Sequence, residues 1–237
     1  MAQSGAVSAI VTAPIDKAAL NAAGYPFPGH TEMLAALCGG VKVAMMMAAE
    51  TTLGGGGALR VTLATTHIAL RDVPSAFDAA LLVEQARITH DGLRTGWGIT
   101  APRLALCAVN PHASDGGLFG DEERTVVGPA LAELRAAGID AAGPIPADTV
   151  FRRAMNGEFD AVIAPYHDVG MAAFKTAAFG AGVNVTLGLP FVRTSPDHGT
   201  AMDIAGTGSA DASSMLEAIG LAVRLAARGT ATLASAS

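Results

Sequence analysis

Three apolar runs of strand length in this sequence end the same way, in a short break followed by a histidine: Leu63-Ala64-Thr65-Thr66-His67, Ala108-Val109-Asn110-Pro111-His112 and Ile163-Ala164-Pro165-Tyr166-His167. Short apolar runs closed by turn residues read as strands buried on both faces. Segments of helical spacing separate them, and alternating strand and helix argues an α/β fold with a largely parallel sheet. The carboxyl ends of parallel strands lie along one edge, so histidines remote in sequence can meet there.

The remaining segments fit that frame. Ala6 to Thr12 has strand character, and Ala13-Pro14 leads into a helix from Asp16 to Ala23 that Gly24 can cap. His30-Thr31-Glu32 heads a second helix to about Leu37. Val41 to Ala48 and Leu59 to Thr65 read as buried strands joined through the glycine run Gly54 to Gly57. That run precedes a strand instead of following one, so it fails the context required of a phosphate-binding fingerprint. A long helix is expected over Ser75 to Thr95, a strand over Arg103 to Val109, and a helix from Asp121 to Gly138 whose acids face its dipole. A short strand near Ile139 and only a turn of helix around Thr149 come next. Strands at Asp160 to Ala164 and Val183 to Leu187 flank a helix carrying Lys175, and an amphipathic helix runs from Asp211 to about Ala227.

At 237 residues and 51% hydrophobic composition, the chain can bury a sizeable core. Its formal charge of −6 leaves no basic footprint for nucleic acid. No apolar run approaches the roughly 20 residues that span a bilayer. The start, MAQSGAVSAIVTAP, lacks the basic and long apolar regions of a signal peptide. Cys38 and Cys107 sit in apolar surroundings that suit buried free thiols. A cytoplasmic enzyme acting on small molecules is therefore expected, with neither nucleic acid nor membrane as partner.

Three neutral imidazoles without a nearby cysteine suit a borderline divalent ion such as zinc and leave positions open for substrate. The opposing reading is that each histidine simply bonds a backbone carbonyl at its strand end. Around them are groups suited to an anion: Lys175 on the helix after His167, Asn184 in the strand Val183 to Leu187, and Arg193 beyond the Pro190 break. His30 and Thr31 sit at a helix N-terminus, where free N–H groups and the dipole favour negative charge.

The words TAPIDKAALNAAG, FPGHTE, ATTHIALRD, NPHASDGGLFGDEE, GPIPADTVF, YHDVG and GVNVTLGLPFVRTSPDHGTAMDIAGTG follow in order over nearly the whole chain. Together they resemble the PdxA family, the 4-hydroxythreonine-4-phosphate dehydrogenases of vitamin B6 biosynthesis. The resemblance implies an isocitrate/isopropylmalate dehydrogenase-like α/β/α sandwich of two lobes. It implies that His67, His112 and His167 ligate a divalent metal (zinc, magnesium or cobalt), with the active site shared between the two subunits of a homodimer. His30, Thr31, Lys175, Asn184 and Arg193 would contact a small phosphorylated hydroxy acid, and Lys175 would join the three histidines as catalytic. The family oxidises the hydroxyl of 4-phosphooxy-L-threonine with NAD(P), and the resulting β-keto acid loses carbon dioxide to give 3-amino-2-oxopropyl phosphate. The ending DHGTAMDIAGTG is similar to the cofactor loop of isopropylmalate and isocitrate dehydrogenases, which lack the Rossmann glycine fingerprint. By that analogy His198, Gly199, Thr200 and Asp203 touch the nicotinamide dinucleotide, a plain turn into a helix being the alternative.

The family pattern is entered near Thr12-Ala13-Pro14. A GDPAGIGPE-like word and roughly the first third of family members have no counterpart. The expectation is a truncated first lobe, its remnant formed by residues 1–25 and 185–237 on the cofactor side, beside a metal- and substrate-binding lobe of residues 26–184. Gly54 to Gly57 reads as an insertion, and Val169-Gly170-Met171 stands where Gln-Gly or Gln-Ala is more familiar. Rival readings are a D-threonate or D-erythronate 4-phosphate dehydrogenase, a terephthalate-diol dehydrogenase, and a non-catalytic member that keeps the metal-site lobe. A metal hydrolase with Asp168 or Asp197 as general base is a further one.

Overall fold

The computed structural model describes residues 1–178 and 180–234. Among them eight strands form one sheet: β1 (Ala9–Val11), β2 (Ala44–Ala49), β3 (Leu59–Leu63), β4 (Arg103–Cys107), β5 (Asp140–Ile145), β6 (Ala161–Ala164), β7 (Val183–Leu187) and β8 (Val192–Pro196). Their order is β1-β8-β7-β2-β3-β6-β4-β5. The half β3-β6-β4-β5 is parallel throughout, as the strand–helix alternation implies.

The other half corrects the largely parallel expectation. Strand β2 runs antiparallel to β3 and β7, and β7 antiparallel to β8; only β1 and β8 pair in parallel. Connection length is the reason. A tight turn bridged at Thr52 and Gly56 returns β2 directly onto β3, and residues 188–191 return β7 onto β8, whereas a parallel neighbour needs a long crossover. The sequence reading places no strand at β8, whose Val-Arg-Thr-Ser-Pro run is too polar and proline-bounded to stand out.

Helices α1 (Lys17–Ala22), α2 (His30–Leu37), α3 (Val73–Ala76), α4 (Ala79–Gly92), α5 (Gly128–Ala136), α6 (Ala147–Met155), α7 (His167–Ala177) and α8 (Ser213–Ala234) complete the described chain. On one face Leu82, Leu134 and Leu221 of α4, α5 and α8 pack on Met46, Ile163 and Val185. On the other, Phe151 of α6 and Phe174 of α7 pack on Met47, Val61 and Val162. Neighbouring residues such as Met46 and Met47 thus serve opposite layers, the period of two that a pleated strand imposes. Full burial of side chains this size is worth about 1.5–3 kcal/mol each. The sandwich is held by its apolar layers, which frees the edge above them for groups chosen by chemistry.

Local differences have local causes. The helix expected over Ser75 to Thr95 is divided: α3 stops at Phe77, and Asp78 starts α4 by accepting the Leu81 N–H at 2.7 Å. Helix α6 runs nine residues where only a turn is expected, because Val150, Phe151 and Ala154 share one buried face. Helix α8 starts at Ser213 under an Asp211 cap and continues past Ala227. Both cysteines are free, Cys107 buried and Cys38 partly so. No described helix is long and apolar enough to cross a membrane.

Candidate active site

Register brings two of the three strand-end histidines together. Leu63 pairs with Ala164, and the ladder continues beyond both strands: the Ala64 N–H donates to the Ala164 carbonyl at 2.8 Å and the Thr65 N–H to that of Pro165 at 3.2 Å. The Thr65 hydroxyl adds a second bond to the Pro165 carbonyl, 2.9 Å. His67 follows Leu63 by four residues and His167 follows Ala164 by three, and the two rings come side by side, centres 5.5 Å apart and planes at 46°. Nδ1 of His167 lies 2.8 Å from Oδ1 of Asp168, a contact that favours the proton on Nδ1 and leaves the Nε2 lone pair as a donor. Burial, then the nearby Lys17 and His167, lower the pKa of His67, against an opposing pull from Glu32. A neutral ring is the form that ligates a metal.

His112 leaves the same edge of the sheet, since β4 adjoins β6 in parallel, but it does not join the pair. After Asn110 five successive residues, His112 to Gly116, have φ between 43° and 72°, and the left-handed turn Pro111–Gly117 leaves His112 exposed. Such a conformation costs about 1–2 kcal/mol for each residue with a Cβ. Four of the five carry one, so something must hold the turn. Glu123, only 5% exposed, does so. Its Oε1 accepts the N–H groups of Val109 and Asn110, both at 2.8 Å, and its Oε2 accepts Nδ2 of Asn110 at 2.9 Å and the Ser114 hydroxyl. The sequence reading treats this acid as one of several facing a helix dipole; the fold turns it inward, ahead of α5. Within one chain the meeting of three imidazoles is therefore corrected to two, and among the described residues no group of three His, Cys, Asp or Glu forms a metal cage.

The anion-binding groups do converge. Arg193 on β8 is 4% exposed, and its guanidinium donates to the hydroxyls of Thr186 at 3.0 Å and Thr12 at 2.6 Å. Its Nε has no partner, nor has Oδ1 of Asn184 on β7, although both atoms are buried. Burial draws the Arg193 pKa down to about 10, with Glu32 resisting. A buried cation bonded only to hydroxyls is costly until an anion reaches it. Thr31 lies 3.5 Å from Thr186, oxygen to oxygen, and burial first and the Arg193 charge second lower the pKa of His30. His30, Thr31, His67, Asn184 and Arg193 line a cavity of about 450 Å³. It adjoins a cleft of about 710 Å³ lined by His67, His167, Asn184, Lys175 and Asp197. Lys175 on α7 bonds Asp197 through both its carboxylate and its carbonyl, each at 3.3 Å. Burial raises the pKa of Asp197, and Lys175 pulls it back.

Of the residues expected at the cofactor, His198 and Gly199 line both hollows. Thr200 and Asp203 are exposed and line neither. Sequence reasoning passed over Lys17, Thr12 and Thr186, which the fold sets around His67 and Arg193. All three stand inside words quoted above, TAPIDKAALNAAG and GVNVTLGLP, so a signal was present; what the threonine hydroxyls bond became visible only once β1 and β7 flanked β8.

Known proteins share this sequence and fold. Residues 1–222 match the family model described as pyridoxal phosphate biosynthetic protein PdxA. A 4-hydroxythreonine-4-phosphate dehydrogenase of Chromobacterium violaceum is 54% identical over 223 residues, 94% of this chain and 66% of that protein. The crystal structure of 4-hydroxythreonine-4-phosphate dehydrogenase from Klebsiella pneumoniae superposes with a TM-score of 0.86 at 45% identity, over 95% of this chain and 66% of the other. Isocitrate dehydrogenase from Methylococcus capsulatus, 15% identical with a TM-score of 0.56 over 94% of this chain and 69% of its own, shares the fold. The chain thus spans just under two thirds of the length of the curated relatives it matches.

Proposed function

The chain belongs to the PdxA family of pyridoxal phosphate biosynthetic proteins, and we propose on that footing that it oxidises 4-phosphooxy-L-threonine with NAD(P). The observation that carries the reading is the buried Arg193 guanidinium, its Nε unpaired, in a cavity that also holds His67. Arg193, with His30 and Thr31 at the start of α2, receives the phosphate. Asn184, whose Oδ1 awaits a donor, takes the substrate amine or hydroxyl. A bound nicotinamide dinucleotide would take the hydride from the hydroxyl-bearing carbon as the hydroxyl proton is released, and the resulting β-keto acid would lose carbon dioxide to give 3-amino-2-oxopropyl phosphate. Lys175, tethered by Asp197, is placed to return a proton to the carbon that loses the carboxylate.

His67 and His167 fit a divalent metal, as two imidazoles facing one opening, and His112 of a second copy would complete the set. When bound, such an ion acidifies and orients the alcohol and stabilises the enolate of decarboxylation. The exposure of His112 beside Leu118 and Phe119, 73% and 46% exposed on the same loop, supports a homodimer with shared sites. Residues 1–25 and 185–237 serve the cofactor, apart from Arg193, which reaches across to the substrate, with His198 and Gly199 nearest the cofactor and Thr200 and Asp203 outermost; residues 26–184 serve metal and substrate. The setting is cytoplasmic, in keeping with two free thiols.

Steady-state assay with 4-phosphooxy-L-threonine, D-threonate 4-phosphate and D-erythronate 4-phosphate tests the assignment. A clear preference in kcat/KM for the amine substrate is expected; equal values for amine and hydroxyl forms would defeat it. NAD-linked turnover absent from folded, metal-loaded protein would mark a binding function instead.

A further inference from the structure

We infer that Glu123 is a positioning residue for His112: its buried carboxylate pins the left-handed turn and thereby sets where the imidazole stands. The inference rests on the reading of His112 as a ligand. Glu123 gathers donors from both sides of that residue, Val109 and Asn110 before it and Ser114 after it. The turn is exposed over residues 115–120, and the backbone bonds at its ends, Ala113 N–H to Asn110, Leu118 N–H to Ser114 and Phe119 N–H to Ser114, leave the carboxylate as the group that ties it to the end of β4.

The anchor is itself fixed. Val127, one turn further on, is fully buried, and Nδ2 of Asn110 makes a second bond at 2.7 Å to Oε2 of Glu122. Gly120, at φ +120°, closes the loop against this pair, where a Cβ would stand 2.7 Å from Oε2 of Glu122 and 2.8 Å from Nδ2 of Asn110. A carboxylate presents two acceptor oxygens and no hydrogen, which is what four donors require. An amide at position 123 keeps the shape but offers an NH2 group to donors.

Two measurements test this on the wild type, Glu123→Gln, Ser114→Ala, His112→Ala and Val127→Ala. The first is hydrogen–deuterium exchange of metal-free protein; the second is calorimetric titration with cobalt(II). Glu123→Gln should speed exchange at residues 109–119 about 10-fold or more without changing β3 and β6, and weaken cobalt(II) binding about 10- to 100-fold. Ser114→Ala should act in the same direction by less, and carries the test if the glutamine variant does not fold. Val127→Ala should destabilise the protein without singling out the turn. Unchanged exchange in the turn overturns the proposal, as does a loosened turn with full cobalt(II) affinity. If His112→Ala binds cobalt(II) as the wild type does, the ligand reading of His112 falls and the positioning role with it. That failure is distinguishable, because exchange is read without metal.

Discussion

The imidazole of His167 stands 5.5 Å from that of His67 because β3 and β6 are parallel neighbours whose pairing persists through Thr65 and Pro165. The third histidine leaves an adjacent strand and still points elsewhere. Adjacency in a sheet brings residues to one edge, and the turn after each strand decides whether they meet.

A site shared between copies, as proposed, predicts complementation. His67→Ala and His112→Ala should each lose most NAD-linked turnover. Mixed by co-expression in equal amounts, they should recover about one quarter of wild-type activity, since half the dimers are mixed and each of these has one intact site. No recovery in a verified mixed dimer would show that one chain supplies all its own ligands.

As the proposed phosphate anchor, Arg193 would trade stability for binding. Arg193→Met removes a buried cation whose hydrogen bonds go only to Thr186 and Thr12. Thermal unfolding should stay level or rise, by up to about 1–4 kcal/mol. Substrate binding should weaken by about 1.5–3 kcal/mol, the worth of hydrogen bonds to a charged group. A variant that unfolds more readily but binds normally would assign Arg193 to the fold alone.

Gly170 lets α7 lie close on β3. A Cβ there would sit 2.6 Å from Cδ2 of Leu63 and 3.1 Å from both Cβ of Ala164 and Cγ1 of Val61, all of them buried. Overpacking costs about 1–3 kcal/mol, against about 1 kcal/mol regained in helix propensity. Gly170→Ala should lower the denaturation midpoint and, by lifting the start of α7, reduce turnover through His167. A more stable, fully active variant would refute the close packing.

Acid should release the His112 turn. Burial alone would raise the pKa of Glu123, but bonds from the Asn110 side chain and backbone and from Ser114 bring it below its ordinary 4.5. A depressed carboxylate contributes stability in full above pH 4.5, and that contribution is lost as pH falls through the lower folded value. Glu123→Gln should cost about 1.5–3 kcal/mol at pH 7 and flatten this part of the acid profile in chemical denaturation. Parallel profiles for variant and wild type would contradict the assignment.

Most of the site was legible because its groups sit in short words whose local structure is locally set. His67 and His167, the His30-Thr31 helix start and Arg193 lie around adjoining hollows, while His112 stands apart. The bonds of Thr12 and Thr186 were not legible, since a hydroxyl gains meaning only when β1 and β7 come to flank β8. Glu123 was misread for the opposite reason: an acid before a helix has a local explanation, and the long-range one, donors on Val109 and Asn110, stayed hidden.

The sequence by itself determined the α/β class, the family resemblance and the identity of the polar groups, because apolar periodicity, caps and turn residues act over a few positions. Tertiary structure alone decided the direction of β2 and β7, the strand at β8, and the division of the histidines into a pair and an outlier. Those depend on which strands pair and how a turn is held, through contacts between residues far apart in the chain that no local pattern encodes.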